Sequence, residues 1–119
     1  MPVVLVTRSI AIERFVATLS RYPSIKHRLF TSAECLYCER FKKGPEERFA
    51  ARFAAKCAIK SVFSGLKWGD IAVLNDPLGA PFLDAPGLNL PVKSVSLSHD
   101  KNWAIAAVLM EAPAHWSQS

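Results

Sequence analysis

The chain has 119 residues, a length that suits one domain with a real hydrophobic core and is too short for two. Half of the residues are hydrophobic, and 15 basic against 10 acidic residues leave a net charge of +5. This balance favours an anionic partner, either a phosphorylated small molecule or an acidic protein, and does not by itself indicate nucleic acid. Residues 1–119 are therefore predicted to form a single globular domain.

The amino-acid sequence carries no sign of a membrane span. The longest apolar opening, Val3–Val6, is far too short to cross a bilayer, and no signal-peptide cleavage site follows it. Three cysteines, an odd number, fit a reducing compartment. Cys35 and Cys38 form a C-x-x-C pair without the second pair of ligands that a zinc site needs. We expect a cytoplasmic protein with no membrane partner and no metal at these cysteines.

The first part of the chain predicts one strand and two helices. Pro2–Thr7 is short, continuous and β-branched, as expected of a buried strand. Ser9 is predicted to cap the next helix, which should end at Tyr22–Pro23. Thr31 and Glu34 have the spacing of a capping box, which predicts the start of a second, short helix.

The longest helix is predicted between Gly44–Pro45 and Gly65. Apolar residues recur every four positions and predict a core-facing stripe at Phe49, Phe53 and Cys57. Basic residues recur at the same spacing, at Arg48, Arg52, Lys56 and Lys60. No acid follows them on the helix after the first turn, so two interpretations are open. The basic stripe is either a solvated face or a site for phosphates, which guanidinium and ammonium groups bind well.

Turn and loop signals divide the region that follows. Trp68–Asn75 is predicted to be a strand, and Asn75–Pro81 is predicted to be the turn into another strand. Two prolines and a glycine interrupt residues 84–92, which leaves too little continuous chain for a helix. We therefore predict a loop at residues 84–92.

The final third of the chain predicts an antiparallel pair. Val92–His99 and Asn102–Glu111 have strand character, and the second is nearly all apolar, which predicts burial on both of its faces. Residues 112–119 are expected to form a frayed tail. One strand, a helical middle and an antiparallel end define an α+β fold, with a small antiparallel sheet packed on a long central helix.

Three separated stretches, taken in order and at suitable spacing, resemble the holo-acyl-carrier-protein synthase family. The likeness covers nearly the whole chain, and the ordered set is specific where any one motif alone is not. The matching segments are Phe30–Glu34 with Tyr37–Cys38, then Glu47–Lys56, then Val95–Asp100, with Thr7 and Ile12–Phe15 extending the match to the front.

The resemblance implies a 4′-phosphopantetheinyl transferase-like fold that assembles as a homotrimer, with active sites between subunits. Members of the family transfer 4′-phosphopantetheine from coenzyme A to a serine of an acyl carrier protein in fatty acid biosynthesis, using magnesium. Coenzyme A carries phosphates and carrier proteins are acidic, so both implied partners suit a basic protein. Nucleic acid is the weaker interpretation, because the basic stripe has no interleaved aromatic residues on its exposed side.

The resemblance also assigns site residues. Arg14 matches a first-helix cation that binds the acidic helix of the carrier protein. Arg21, seven residues further on the same side, is a second carrier-protein candidate that is argued from this spacing alone. His99 is a candidate general base, with a structural role as the alternative, and Lys60 is a catalytic candidate one place away from the family lysine. The implied coenzyme-binding residues are Arg48, Arg52, Lys56, Gly79, Pro81, Ser96, Ser98 and His99.

This sequence lacks the family's magnesium ligands. The family places a magnesium-binding aspartate and, three residues on, a glutamate where this chain has Arg8 and Ala11. The family's second metal ligand, a glutamate of the long helix, is replaced by Cys57. Ser61 stands where the family has its lysine. Magnesium prefers oxygen ligands, which arginine and cysteine do not supply. We expect no metal ligands here and hypothesise that Arg8 pairs with the coenzyme pyrophosphate in the metal's place.

Two functions follow from these departures. The chain is either a transferase that works without the usual metal ligands, or a non-catalytic module that binds coenzyme A or a carrier protein. Cys57 is interpreted as a core residue because it lies on the apolar stripe with no histidine near it in sequence.

Overall fold

A computed structural model of the chain describes residues 2–116. Helices occupy the first half of this range, and strands occupy its beginning and its second half. The helices are α1 (Ile12–Arg21), α2 (Ile25–Leu29), α3 (Ser32–Glu39) and α4 (Pro45–Val62). The strands are β1 (Val3–Ala11), β2 (Ala72–Asn75), β3 (Pro81–Asp84), β4 (Val92–His99) and β5 (Trp103–Glu111).

Two antiparallel sheets surround the long helix α4. The larger sheet has the order β1-β5-β4, and the smaller is the β2-β3 hairpin. The alanine-rich side of α4 packs on the larger sheet, because methyl side chains let the helix backbone approach the strands closely. The buried residues of this face are Ala51, Ala54, Ala55, Ala58, Ile59 and Val62. The predicted α+β fold, with a sheet packed on a long central helix, is confirmed.

The first strand is longer than the sequence indicates. β1 runs to Ala11, so Ser9 lies within the strand, paired with Ile105 of β5, and does not cap a helix. The N-cap of α1 is Ala11, which makes no side-chain capping hydrogen bond. The predicted capping role of Ser9 was wrong because strand pairing with β5 outweighs the local preference of serine for a helix N-cap.

Two further boundaries differ from the prediction. The predicted strand at Trp68–Asn75 is a strand only from Ala72, because Trp68–Asp70 forms a single 3₁₀ turn in which Asp70 accepts a hydrogen bond from the Lys67 amide. The helix α4 ends at Val62, ahead of Gly65.

The strand β5 is buried on one face only, contrary to the prediction. Its alternate residues Ala104, Ala106, Val108 and Met110 are fully buried against α4. On the opposite face Trp103 is 49% exposed and Ile105 is 44% exposed. Neighbouring β1 contributes Val3 and Leu5 to the same outer face, where they are 53% and 62% exposed. The chain therefore presents an apolar sheet face that its own helices do not cover.

The end of the described chain is packed rather than frayed. The Ala112 amide donates to the Pro2 carbonyl, and the indole of Trp116 donates to the Ser61 carbonyl at 3.2 Å. The prediction of a frayed tail is wrong for residues 112–116, and residues 117–119 lie outside the described range. The predicted loop is confirmed, since β3 ends at Asp84 and β4 begins at Val92.

A buried carboxylate joins α4 to two neighbouring elements, α3 and β2. Thr31 and Glu34 form the predicted capping box, in which the Thr31 amide donates to Glu34 Oε1 at 2.9 Å. The same oxygen accepts from Lys56 Nζ at 2.6 Å, and Glu34 Oε2 accepts from the Val73 amide at 2.9 Å. Lys56 also donates to the Leu29 carbonyl at 2.7 Å. Both side chains are fully buried, so this network fixes α3, α4 and β2 together.

Loss of the Glu34 charge should destabilise the fold. We expect Glu34→Gln to lower the free energy of unfolding by about 3 kcal/mol, because Lys56 would then be a buried cation without a counter-charge. Urea denaturation measures this change. The matched control is Glu39→Gln, which breaks the partly exposed Lys26–Glu39 pair and should cost less than about 1 kcal/mol. Equal losses in the two variants would contradict a special role for Glu34.

Candidate anion-binding site

A cavity of about 200 Å³ opens between α4, the β2-β3 hairpin and the end of β4. A neighbouring space of about 380 Å³ shares Tyr37, Asn75 and Gly79 with it, so the two together can hold a ligand larger than one phosphate. We call the cavity of about 200 Å³ the arginine cavity. It is lined by Tyr37, Arg48, Ala51, Arg52, Asn75, Gly79, Pro81, Leu97 and His99.

Two arginines from successive turns of α4 line the cavity. The Arg48 guanidinium lies 3.6 Å from the centre of the Phe41 ring and donates to the Gly44 carbonyl at 3.3 Å. The Arg52 guanidinium lies 4.5 Å from the centre of the Tyr37 ring and donates to Asn75 Oδ1. Aromatic faces attract cations and hold planar guanidinium groups in place. Both cations are therefore oriented before any ligand binds.

Arg52 is a buried cation without a carboxylate partner among residues 2–116. Its side chain is only 2% exposed, yet none of the ion pairs of the described chain includes it. Its Nε atom is buried and makes no hydrogen bond within the same range. A buried charge is costly unless an opposite charge accompanies it. An anion in the cavity would supply that charge.

The hairpin turn places backbone and amide groups opposite these arginines. Asp76 Oδ1 accepts from the amides of Leu78 and Ala80, both at 2.9 Å, which closes the turn. Gly79 has a φ of +90°, a left-handed conformation that favours glycine, and its carbonyl accepts from Asn75 Nδ2 at 2.8 Å. These hydrogen bonds fix the conformation of the turn where it borders the cavity.

Several predicted site residues meet in the arginine cavity. Arg48, Arg52, Gly79, Pro81 and His99 all line it. Sequence reasoning missed Tyr37 and Asn75 as site residues. Tyr37 was noted only as part of a family motif, and Asn75 only as the start of a turn. The contact of each with Arg52 depends on the tertiary structure and is not visible in the sequence.

Other predicted coenzyme-binding residues lie elsewhere. Lys56 is fully buried and paired with Glu34, so at this position the basic stripe is neither a solvated face nor open to a phosphate. Burial lowers the pKa of its ammonium group, and the Glu34 charge partly offsets that effect. Glu34 belongs to another helix, so the periodicity of α4 alone gives no sign of the pairing.

Lys60 also lies outside the cavity lining. Its Nζ atom donates to the Leu66 carbonyl and lies 4.7 Å from the centre of the Trp68 ring. Ser96 and Ser98 are exposed on β4 and alternate with Leu97 and His99, which line the cavity. Because successive strand residues point to opposite faces, the two serines face away from it.

Arg8 and Cys57 form a second cluster on another side of α4. Burial raises the pKa of the Cys57 thiol, and the nearby charges of Arg8 and Lys60 oppose this shift. Cys57 is half-buried rather than fully in the core. It is five residues from Arg52, which corresponds to about 140° around a helix. The arginine cavity and the Arg8–Cys57 cluster therefore lie on different flanks of α4.

The residues present do not fit a magnesium ion. No group of three histidine, cysteine, aspartate or glutamate side chains in the described chain is placed to hold a metal. At the positions discussed above, Arg8 repels a cation and Cys57 offers a sulfur, whereas magnesium requires oxygen ligands. Burial also raises the pKa of the Cys38 thiol to about 11 and that of Cys35, which keeps both in the protonated form that binds metals poorly.

The carrier-protein candidates lie on the outer surface of α1. Arg14 and Arg21 are both exposed, and the Arg21 guanidinium lies 5.5 Å from the centre of the Tyr22 ring. The apolar side of α1 faces inwards through Ile12 and Phe15. Both arginines are thus available to a partner from outside.

The small α+β fold that holds this cavity of oriented arginines is that of a 4′-phosphopantetheinyl transferase-like protein, as its structural neighbours show. The chain is 44% identical to the holo-[acyl-carrier-protein] synthase of Trichlorobacter lovleyi, over 76% of this chain and 81% of the relative. It is 42% identical to that of Frankia alni, over 85% and 90% of the two chains. A crystal structure of the Bacillus anthracis synthase in complex with coenzyme A (3′,5′-ADP) matches with a TM-score of 0.76 and 28% identity, over 92% and 96% of the chains.

These comparisons assign the family. The chain belongs to the holo-acyl-carrier-protein synthase family. A scan against protein-family models gave no match. Across residues 2–116, no helix is both long enough and apolar enough to cross a membrane.

The arginine cavity should bind a polyphosphate without a metal. We expect inorganic pyrophosphate to raise the melting temperature, whereas magnesium alone should leave it unchanged. Arg52→Met should weaken pyrophosphate binding by at least about tenfold, because a charged hydrogen-bonding group contributes roughly 1.5–3 kcal/mol. Calorimetric titration measures the affinity.

The matched control for this prediction is Arg28→Gln, which removes an exposed arginine of α2 that is not part of the cavity lining. It should bind pyrophosphate almost as the unmodified chain does. Equal weakening in both variants would show that net charge, not the cavity, attracts the anion.

Proposed function

We propose that this chain binds coenzyme A in the arginine cavity and transfers its 4′-phosphopantetheine group to a serine of an acyl carrier protein. The observation that carries the proposal is the buried Arg52 cation, which has no carboxylate partner within residues 2–116 and lines the cavity. Arg48 beside it provides a second fixed positive charge. Coenzyme A carries a pyrophosphate whose charge suits these two guanidinium groups. Residues 1–119 act in this proposal as one domain.

The proposed reaction is a displacement at phosphorus. The carrier-protein serine Oγ attacks the phosphorus that bears pantetheine and gives its proton to His99. The bond from that phosphorus to the oxygen of 3′,5′-ADP breaks, and the leaving group takes the bonding electrons. Arg48 and Arg52 stabilise the charge that develops on the phosphate oxygens, as arginines do in other phosphoryl transfers. No step is assigned to a metal, since the residues present do not fit one.

We further propose that two copies of the chain complete each site. Arg8 and the arginine cavity lie on different flanks of α4, so Arg8 would reach the pyrophosphate bound by a neighbouring subunit. The apolar sheet face that includes Leu5 and Trp103 offers a surface through which copies can pack. A homotrimer, as the family resemblance implies, uses both features.

The proposed protein partner is an acidic carrier protein. Arg14 and Arg21 project from α1 and would contact carboxylates on its surface. We place the protein in the cytoplasm, because its cysteines Cys35, Cys38 and Cys57 are all unpaired in the described chain.

A non-catalytic role is the second candidate. The observation in its favour is that Arg8 and Cys57 occupy positions where the family has metal-binding carboxylates. Such a chain would still bind coenzyme A or a carrier protein but would transfer nothing. Binding and transfer therefore have to be measured separately.

Transfer is tested with coenzyme A and several apo carrier proteins. We expect mass spectrometry to detect addition of one phosphopantetheine group, with a rate that does not depend on added magnesium. His99→Gln should lower kcat by about 100-fold, within the range for loss of a general base. If the chain binds coenzyme A but transfers nothing to any carrier protein, the transferase proposal is wrong and the non-catalytic binding role replaces it.

Assembly is tested with the outer sheet face. Sedimentation should give a mass three times that of one chain. Trp103→Lys should shift the protein towards monomers, because it places a charge in the proposed apolar contact. Leu36→Lys is the matched control, since Leu36 is 71% exposed on α3, away from that face. A monomer at every concentration, or equal effects of both variants, would contradict the proposed assembly.

A further inference from the structure

A carboxylate contacts the candidate base at the edge of the arginine cavity. His99 Nδ1 lies 3.2 Å from Glu47 Oε2, and the two side chains are 32% and 30% exposed. His99 ends β4, and Glu47 lies in the first turn of α4. The contact therefore joins two elements that form the cavity, and it was not foreseen from the sequence.

Gly44 makes room for this carboxylate. Its φ of +73° is a left-handed conformation, and a Cβ atom at this position would lie 2.7 Å from Glu47 Oε2. Any larger residue would therefore displace the Glu47 side chain. Gly44 is also the N-cap residue of α4, so one glycine both starts the helix and leaves space for the Glu47 carboxylate.

Glu47 is the carboxylate in contact with the imidazole. Arg48 and Arg52 line the same cavity and bring positive charge to it. Asp100 follows His99 in sequence, but its Oδ1 atom accepts from the amides of Asn102 and Trp103, at 2.7 and 2.8 Å. These backbone hydrogen bonds lower the pKa of Asp100 and hold its carboxylate in the turn.

We propose that Glu47 is the positioning residue of His99, a role that rests on the transfer reaction proposed above. An ionised carboxylate only accepts hydrogen bonds, so it keeps the imidazole proton on Nδ1 and leaves the Nε2 lone pair to take the serine proton. As the bond from serine Oγ to phosphorus forms and the bond to 3′,5′-ADP breaks, the proton moves from Oγ to Nε2. Glu47 then offsets the positive charge of the imidazolium.

The tautomer of His99 tests the positioning role directly. Nitrogen-15 chemical shifts of the labelled full-length chain at alkaline pH distinguish a protonated Nδ1 from a protonated Nε2, and His99→Gln identifies the signal among those of His27 and His115. We expect the Nδ1-protonated form in the unmodified chain. Glu47→Ala should shift it towards the Nε2-protonated form that is usual in water, and Glu47→Gln should retain part of the effect. Glu46→Ala, which removes the neighbouring acid outside the cavity, should change nothing.

Kinetics give the second measurement. Glu47→Ala should lower kcat by at least about tenfold, as expected when a general base is misoriented, with the KM for coenzyme A changed by less than about twofold. Gly44→Ala should change the tautomer in the same direction as Glu47→Ala.

Two results would overturn the inference. The first is that the neutral His99 of the unmodified chain carries its proton on Nε2. The second is that Glu47→Ala leaves the His99 tautomer unaltered. Either result would count against the inference even if the enzyme is active. If the tautomer responds as expected but no carrier protein is modified, Glu47 still positions His99 and only the proposed transfer reaction fails.

Discussion

The Glu34 carboxylate holds α3, α4 and β2 in one fixed arrangement. Its fully buried side chain accepts from the capping-box amide of Thr31, from Lys56 of α4 and from the Val73 amide of β2. A buried ion pair of this kind contributes little net stability but strongly disfavours any arrangement that separates its partners. It thereby fixes the rotation of α4 about its axis. With that rotation fixed, Arg48 and Arg52 face the hairpin and Cys57 faces another side.

The basic residues of α4 therefore have separate roles. Lys56 is structural, Lys60 contacts the segment that follows the helix, and the two arginines line a cavity. Arg52 carries a charge that no carboxylate of the described chain balances, which is unfavourable for the protein alone and favourable for binding an anion. Functional sites often contain strain or an unpaired charge that the bound ligand compensates. Arg8 and Cys57 supply no oxygen ligand for a metal, and neither of them lines this cavity.

Local signals predicted local structure well. The Thr31 and Glu34 capping box, the start of α4 at Pro45 and the loop before β4 were correct, because each depends on residues close in sequence. The errors have a common origin in contacts between distant segments. Ser9 was predicted to cap a helix because its pairing with Ile105 is invisible in the sequence, and the basic stripe of α4 looked unneutralised because Glu34 belongs to α3. The Glu47–His99 contact required the fold itself.

A crystal structure with coenzyme A bound would show whether oriented arginines, rather than a metal, hold the pyrophosphate. In crystals grown with magnesium we expect phosphate oxygens within about 3 Å of the guanidinium groups of Arg48 and Arg52, the usual length of such hydrogen bonds. We expect no metal ion between the phosphates and the protein. Phosphates bridged to the chain by a magnesium ion, or bound away from the arginine cavity, would contradict this expectation.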